Sequence, residues 1–156
     1  MSSYILLSRP KCAWYAKPFQ LLIRVAGRSS MTHCAIALDG MVYEARLGGV
    51  KPPMHFDDWV KRQTVAKSAR IELNIEQAKH KADSMVGMPY DMLTNLSQAL
   101  NARWMASDGK VNCVEHVAKV LRWGGKPLFH IGTAGGRSPG DIEALAQFDW
   151  EPINVN

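Results

Sequence analysis

The chain is predicted to be an α+β protein in which an antiparallel sheet packs against a helix carrying a cysteine on its first turn. Three observations predict this. Two alternating runs, 32–38 and 41–46, flank Asp39-Gly40, the strongest short-range hairpin signal. Asn112-Cys113-Val114-Glu115 opens a helix with the spacing of a capping box. A second helix is expected over 75–86, capped by Asn74 with Gln77 three residues on and closed by Gly87.

The hairpin fixes which side chains share a face. With a two-residue type I′ turn, Leu38 faces Met41, Ile36 faces Tyr43, Ala35 faces Glu44 and His33 faces Arg46. Cys34, Ile36, Leu38, Met41, Tyr43 and Ala45 then make one largely apolar face, and His33, Ala35, Ala37, Val42, Glu44 and Arg46 the other. His33 and Glu44 become diagonal neighbours, with about 7 Å between their backbone positions. A carboxylate there can accept from one ring nitrogen and fix the tautomer, leaving the other nitrogen to move a proton. A one-residue slip would separate the two groups. The plainer reading is a solvent-facing histidine beside a Glu44–Arg46 surface pair. In the first reading Arg46 lowers the proton affinity of His33 or binds a substrate carboxylate. The small Ala35 and Ala37 on the same face predict close approach of a helix, and the one headed by Cys113 is the candidate.

In that helix Val114, Val117, Ala118 and Leu121 form one apolar stripe, which stops at Gly124-Gly125. A thiol on the first turn feels the positive end of the helix dipole, which favours the thiolate. The alternative for Cys113 is a small buried hydrophobe. His116 lies on the same helix and is a weaker candidate partner for the thiol than His33.

The remaining chain fills out the α+β plan. A short strand is expected at 4–7, helical character around 19–25 within 13–26, and loops at 27–30 and 48–53. One helical turn is expected at 56–60, a strand at 65–73, a helix over 91–105 and a turn at 108–109. A short helix follows at 139–147 and an extended piece at 150–155. There are no internal repeats or low-complexity linkers, and residues 1–156 are expected to form one domain.

Composition narrows the function classes. With 47% hydrophobic and 21% charged residues, the chain of 156 is globular in type and large enough for a core. A net charge of +5 favours anionic partners. No basic cluster with interleaved aromatics is present, so nucleic acid is not an expected partner. The three cysteines, Cys12, Cys34 and Cys113, make no disulfide framework and no C-x-x-C motif, which points to a reducing compartment. The opening residues lack a signal-peptide core and no segment reaches membrane-spanning length, so the chain is expected to be cytoplasmic as synthesised. The five histidines show no H-x-H or H-E-x-x-H spacing, and neither a metal nor another cofactor is expected. The glycine-rich 132–138 lacks the spacing of a phosphate loop and is read as a flexible loop near the cleft.

Five motifs occur in one order: Thr32-His33-(x)2-Ile36, then Glu44-Ala45, Gly87-Met88-Pro89-Tyr90-Asp91, Asn112-Cys113-x-Glu115-x-Val117, and Ser138-Pro139-Gly140-Asp141-Ile142. Together they resemble the circularly permuted branch of the NlpC-like, papain-like cysteine peptidases and amidases. The resemblance spans roughly residues 4–148. It implies a papain-like fold in which the histidine strand precedes the nucleophile helix. It also implies Cys113 as nucleophile, His33 as base and Glu44 as the group that orients it. Tyr90 would stand near the substrate cleft as a second oxyanion donor or a wall. Thr32, Arg46 and the Cys113 N–H complete the expected substrate-binding and oxyanion set. Amide bonds of peptidoglycan peptides are the implied substrate, reached by a phage particle, a holin-type pore or a secretion machine. Two other readings stand beside it: a lipid-directed thioesterase or acyltransferase, and a non-catalytic phage component that retains the fold. Cys34, directly after the histidine, departs from the usual aliphatic residue, and 95–110 reads as an insertion.

Overall fold

The computed structural model describes residues 2–11, 21, 29–91, 109–129 and 137–155. Its strands are β1 (Ser3–Pro10), β2 (His33–Leu38), β3 (Met41–Tyr43), β4 (Ala45–Arg46), β5 (Gly49–Val50), β6 (Met54–His55), β7 (Gln63–Arg70) and β8 (Glu151–Ile153). Its helices are α1 (Phe56–Val60), α2 (Ile75–Ser84), α3 (Cys113–Trp123) and α4 (Pro139–Glu143). Six strands make one antiparallel sheet in the order β6-β3-β2-β1-β7-β8, and β4 pairs with β5 in a second, two-stranded sheet.

The central strands β1 and β2 are buried on both faces, because helices cover each side. Ile5, Leu7, Cys34, Ile36 and Leu38 face α2 and α3, and pack with Ala78, Ala82, Val114, Val117 and Leu121. Leu6, Ala35 and Ala37 face the other way, towards Val42, Ala66 and Trp59 of α1. Each fully buried Val or Leu of α3 contributes about 1.5–3 kcal/mol of burial. That apolar stripe, more than local propensity, holds the helix against the sheet.

The hairpin takes the register expected from Asp39-Gly40: Ile36 pairs with Tyr43, Ala37 with Val42 and Leu38 with Met41. Asp39 and Gly40 both have positive φ, as a type I′ turn requires. The ladder then stops. Ala35–Glu44 and His33–Arg46 are not ladder pairs, because the chain turns away at Glu44 and Ala45–Arg46 pairs with Gly49–Val50 instead. The expected loop at 48–53 is therefore partly a tight hairpin.

A second correction concerns the helix headed by Cys113. The small Ala35 and Ala37 are covered by the indole of Trp59, and α3 lies on the opposite face with Cys34 and Ile36. The face of Cys34, Ile36 and Leu38 offers the larger apolar surface, which the α3 stripe buries. Other elements differ at their ends. The strand expected at 65–73 runs from Gln63 to Arg70, the helix at 75–86 ends at Ser84, and that at 139–147 ends at Glu143. The expected helical character in 13–26 apart from residue 21, all but the first residue of the helix over 91–105, and most of the glycine-rich 132–138 lie outside the described residues.

Candidate active site

Helix α3 starts where the sequence places it. The Asn112 side chain accepts from the Glu115 N–H at 2.9 Å, and the Glu115 carboxylate accepts from the Asn112 N–H at 3.1 Å, a complete capping box. Tyr90 and Val111 form a parallel bridge just before it, with the Val111 N–H donating to the Pro89 carbonyl at 3.1 Å. Cys113 is thereby held on the first turn, 3% exposed.

His33, at the first position of β2, meets Glu44 at the point where the chain leaves β3. The His33 Nε2–Glu44 Oε2 distance is 2.9 Å. The indole N–H of Trp59 donates to the same oxygen at 3.2 Å, and Arg46 Nε lies 3.4 Å from Glu44 Oε1. Burial alone would raise the Glu44 pKa, but His33, Arg46 and the Trp59 hydrogen bond together hold it down at about 2. Burial likewise opposes protonation of His33, yet hydrogen bonds to Cys113 and Glu44 and the charges on both raise its pKa to about 10. Arg46 thus acts on Glu44; of the two roles the sequence offers it, weakening the proton affinity of His33 and binding a substrate carboxylate, the first does not occur.

With Nε2 engaged by Glu44, Nδ1 is the ring nitrogen left for Cys113. The Cys113 pKa is held well below its ordinary value, first by a hydrogen bond from the Cys34 side chain, against burial, and then by the His33 hydrogen bond and charge. The Cys34 thiol moves the opposite way, through burial and its bond to Cys113. Of the two neighbouring thiols, Cys113 is therefore the more acidic and Cys34 the less. His33 and Cys34 reach Cys113 from one end of β2, although they sit on opposite faces of the strand. Both cysteines are free thiols.

The other expected residues are placed as follows. Tyr90 packs partly buried against the core cluster that contains Cys113. Thr32 is buried, its N–H donating to the Ser8 carbonyl at 3.0 Å, and its hydroxyl has no protein partner among the described residues. His116 is fully buried with neither ring nitrogen hydrogen-bonded among the described residues, and burial lowers its pKa to about 4. It makes no hydrogen bond to Cys113. A cleft of about 380 Å³ is lined by His33 and Glu44 together with Lys11, Arg46, Lys61 and Arg62. Cys113 does not line it. Sequence reasoning missed Trp59 and the role of Cys34. The motif order offers no signal for the indole, whereas the position of Cys34 beside His33 was a visible departure. Among the described residues no group of three or more His, Cys, Asp or Glu side chains is placed to hold a metal ion, and no helix is long and apolar enough to cross a membrane.

No family model and no curated protein matches the chain. Among solved structures, the chain is similar to the crystal structure of metalloprotein yiiX from Escherichia coli O157:H7, a DUF1105 protein. The identity is 17% and the TM-score 0.66, with 100% of this chain and 97% of that one covered. The likeness is one of fold, extending over nearly the full length of both chains.

Proposed function

We propose that the protein is a cysteine hydrolase of papain-like, permuted NlpC type that cleaves an amide bond through a thioester. The observation that carries the reading is the buried His33–Glu44 pair at 2.9 Å together with a buried thiol, Cys113, on the first turn of a helix. Thiolate and imidazolium would form the resting pair, and Glu44 would hold the ring by Nε2 and stabilise its charge. The Cys113 sulfur attacks the carbonyl carbon, and the oxygen takes the negative charge. The Cys113 N–H, on a turn where helical N–H groups lack an intrahelical acceptor, would donate to that oxyanion. His33 then passes the Nδ1 proton to the leaving nitrogen as the C–N bond breaks. Water, deprotonated by His33, attacks the thioester and releases the acid and the thiolate. Tyr90, packed beside the helix start, would wall the substrate site.

Peptidoglycan peptide is the substrate class that the resemblance to NlpC-like enzymes supplies. The metal in the name of the structural neighbour does not carry over. That word describes the neighbour, and at 17% identity the likeness is one of fold alone.

The test is the pH dependence of Cys113 alkylation by iodoacetamide, located by mass spectrometry, in the native chain and in His33→Ala and Glu44→Ala. A thiol pKa well below about 8.5 that rises in both variants supports the activated nucleophile. Ordinary reactivity, unchanged by either substitution, removes it. Digestion of purified peptidoglycan beside a panel of acyl esters then separates amidase from lipid-directed chemistry.

A further inference from the structure

The cleft beside His33 and Glu44 carries an excess of positive charge. Lys11, Arg46, Lys61 and Arg62 line it against a single carboxylate, Glu44. That carboxylate is already engaged by His33, Trp59 and Arg46. Lys61 is paired with Asp58 at 2.8 Å. Lys11 and Arg62 have no acidic partner among the described residues. Arg46 meets Glu44 through Nε while its side chain stays 41% exposed, so the terminal guanidinium nitrogens remain open to a further ligand.

The backbone segments that carry Lys11 and Arg62 are tied together. The β1–β7 ladder shifts register between Arg9 and Pro10. The Lys11 N–H then donates to the Arg62 carbonyl at 2.7 Å, and Lys11 Nζ donates to the Lys61 carbonyl at 2.8 Å. On the other side, the Arg62 N–H and the Gln63 side chain both donate to the Trp59 carbonyl, at 3.0 and 2.9 Å. The end of β1, the turn at 61–62 and the residue that holds Glu44 thus form one tied unit. A concave site with fixed like charges focuses potential on an incoming anion. Guanidinium groups match the paired oxygens of carboxylate or phosphate.

We propose that this cleft binds an oxyanion group, a carboxylate or a phosphate, on Lys11, Arg62 and the open edge of Arg46. The occupant sits against the Glu44 side of the His33–Glu44 pair, away from Cys113. Binding therefore does not require Cys113 to be a working nucleophile, and a failure of the hydrolytic reading leaves this site untouched.

Calorimetric titration of the full chain with inorganic phosphate and, in parallel, with glutarate tests it, at ionic strength held constant with sodium chloride. One saturable site is expected. Arg62→Ala and Lys11→Ala should each weaken it roughly tenfold or more, the loss of a charge-assisted contact. Lys126→Ala, which removes the same charge beyond the far end of α3, should not. Tighter binding of phosphate or of glutarate identifies the source of the oxyanion, and either preference supports the site. No saturable binding of either probe, or an equal loss in Lys126→Ala, overturns it.

Discussion

Trp59 donates its indole N–H to Glu44 Oε2 at 3.2 Å, the same oxygen that His33 Nε2 engages at 2.9 Å. The tryptophan, on α1, is fully buried against the alanines of β2, so it both fills the face left open by Ala35 and Ala37 and fixes the carboxylate. Trp59→Phe keeps an aromatic ring and removes the donor. Loss of one hydrogen bond to a buried carboxylate should cost about 1–3 kcal/mol in urea unfolding. A variant as stable as the native chain would show that the indole N–H contributes nothing.

Cys34 is expected to set the acidity of Cys113 jointly with His33. Its side chain is the largest influence lowering the Cys113 pKa, and it lies on β2 away from the His33–Glu44 contact. Cys34→Ala should raise the Cys113 pKa towards its ordinary value, while Cys34→Ser, which keeps an O–H donor, should restore part of the shift. The iodoacetamide rate against pH reads both. An unshifted curve for Cys34→Ala would leave His33 and the helix start as the whole cause.

Acid stability should fall in two stages. His116 titrates near 4 in the folded chain against an ordinary 6.5, chiefly through burial. The unfolded chain therefore binds the extra proton between those values, and stability drops as pH falls from 6.5 to about 4. At 1.36 kcal/mol per pH unit that stage is worth about 3 kcal/mol. Glu44, at about 2 against an ordinary 4.5, contributes stability that is fully present above 4.5 and lost as pH falls through that value towards 2. His116→Leu removes two buried nitrogens that have no partner among the described residues, and should abolish the first stage while leaving the chain at least as stable at pH 7. Urea midpoints at pH 7, 5 and 4 decide it; parallel losses in native and variant chains would refute the assignment.

The local signals in the sequence were the ones that carried through. Asp39-Gly40 determined the register of β2 and β3 because the turn type leaves no alternative pairing, and Asn112 with Glu115 located the start of α3 to the residue. Both are decided within a few positions of chain. The diagonal neighbours His33 and Glu44 meet as expected, though Glu44 reaches the imidazole from outside the ladder. The helix face was not legible. Whether α1 or α3 covers Ala35 and Ala37 depends on how much apolar area each presents, and one five-residue turn bearing Trp59 satisfies the smaller face. The β4–β5 hairpin was hidden for a related reason, since its tightness depends on a contact with a segment far along the chain.

That contact is at Gly49. Its φ is +102°, and a Cβ there would stand 2.6 Å from the Met88 carbonyl oxygen. The same carbonyl accepts from the Val50 N–H at 2.9 Å, and the Gly87 N–H donates back to the Val50 carbonyl at 3.0 Å. Met88 leads through Pro89 to Tyr90, whose bridge to Val111 precedes Cys113. Gly49→Ala must therefore push back a backbone segment that borders the helix start. Backbone strain of about 1–3 kcal/mol adds to the loss of a hydrogen bond worth about 1 kcal/mol. Gly48→Ala is the control. Its φ of +88° carries comparable strain, but the added Cβ meets only the movable end of the Lys51 side chain, at 3.0 Å. Thermal unfolding should therefore show the larger loss for Gly49→Ala, and Cys113 alkylation should change in that variant alone. Equal losses in the two variants, with equal thiol reactivity, would mean that the hairpin does not support the helix start.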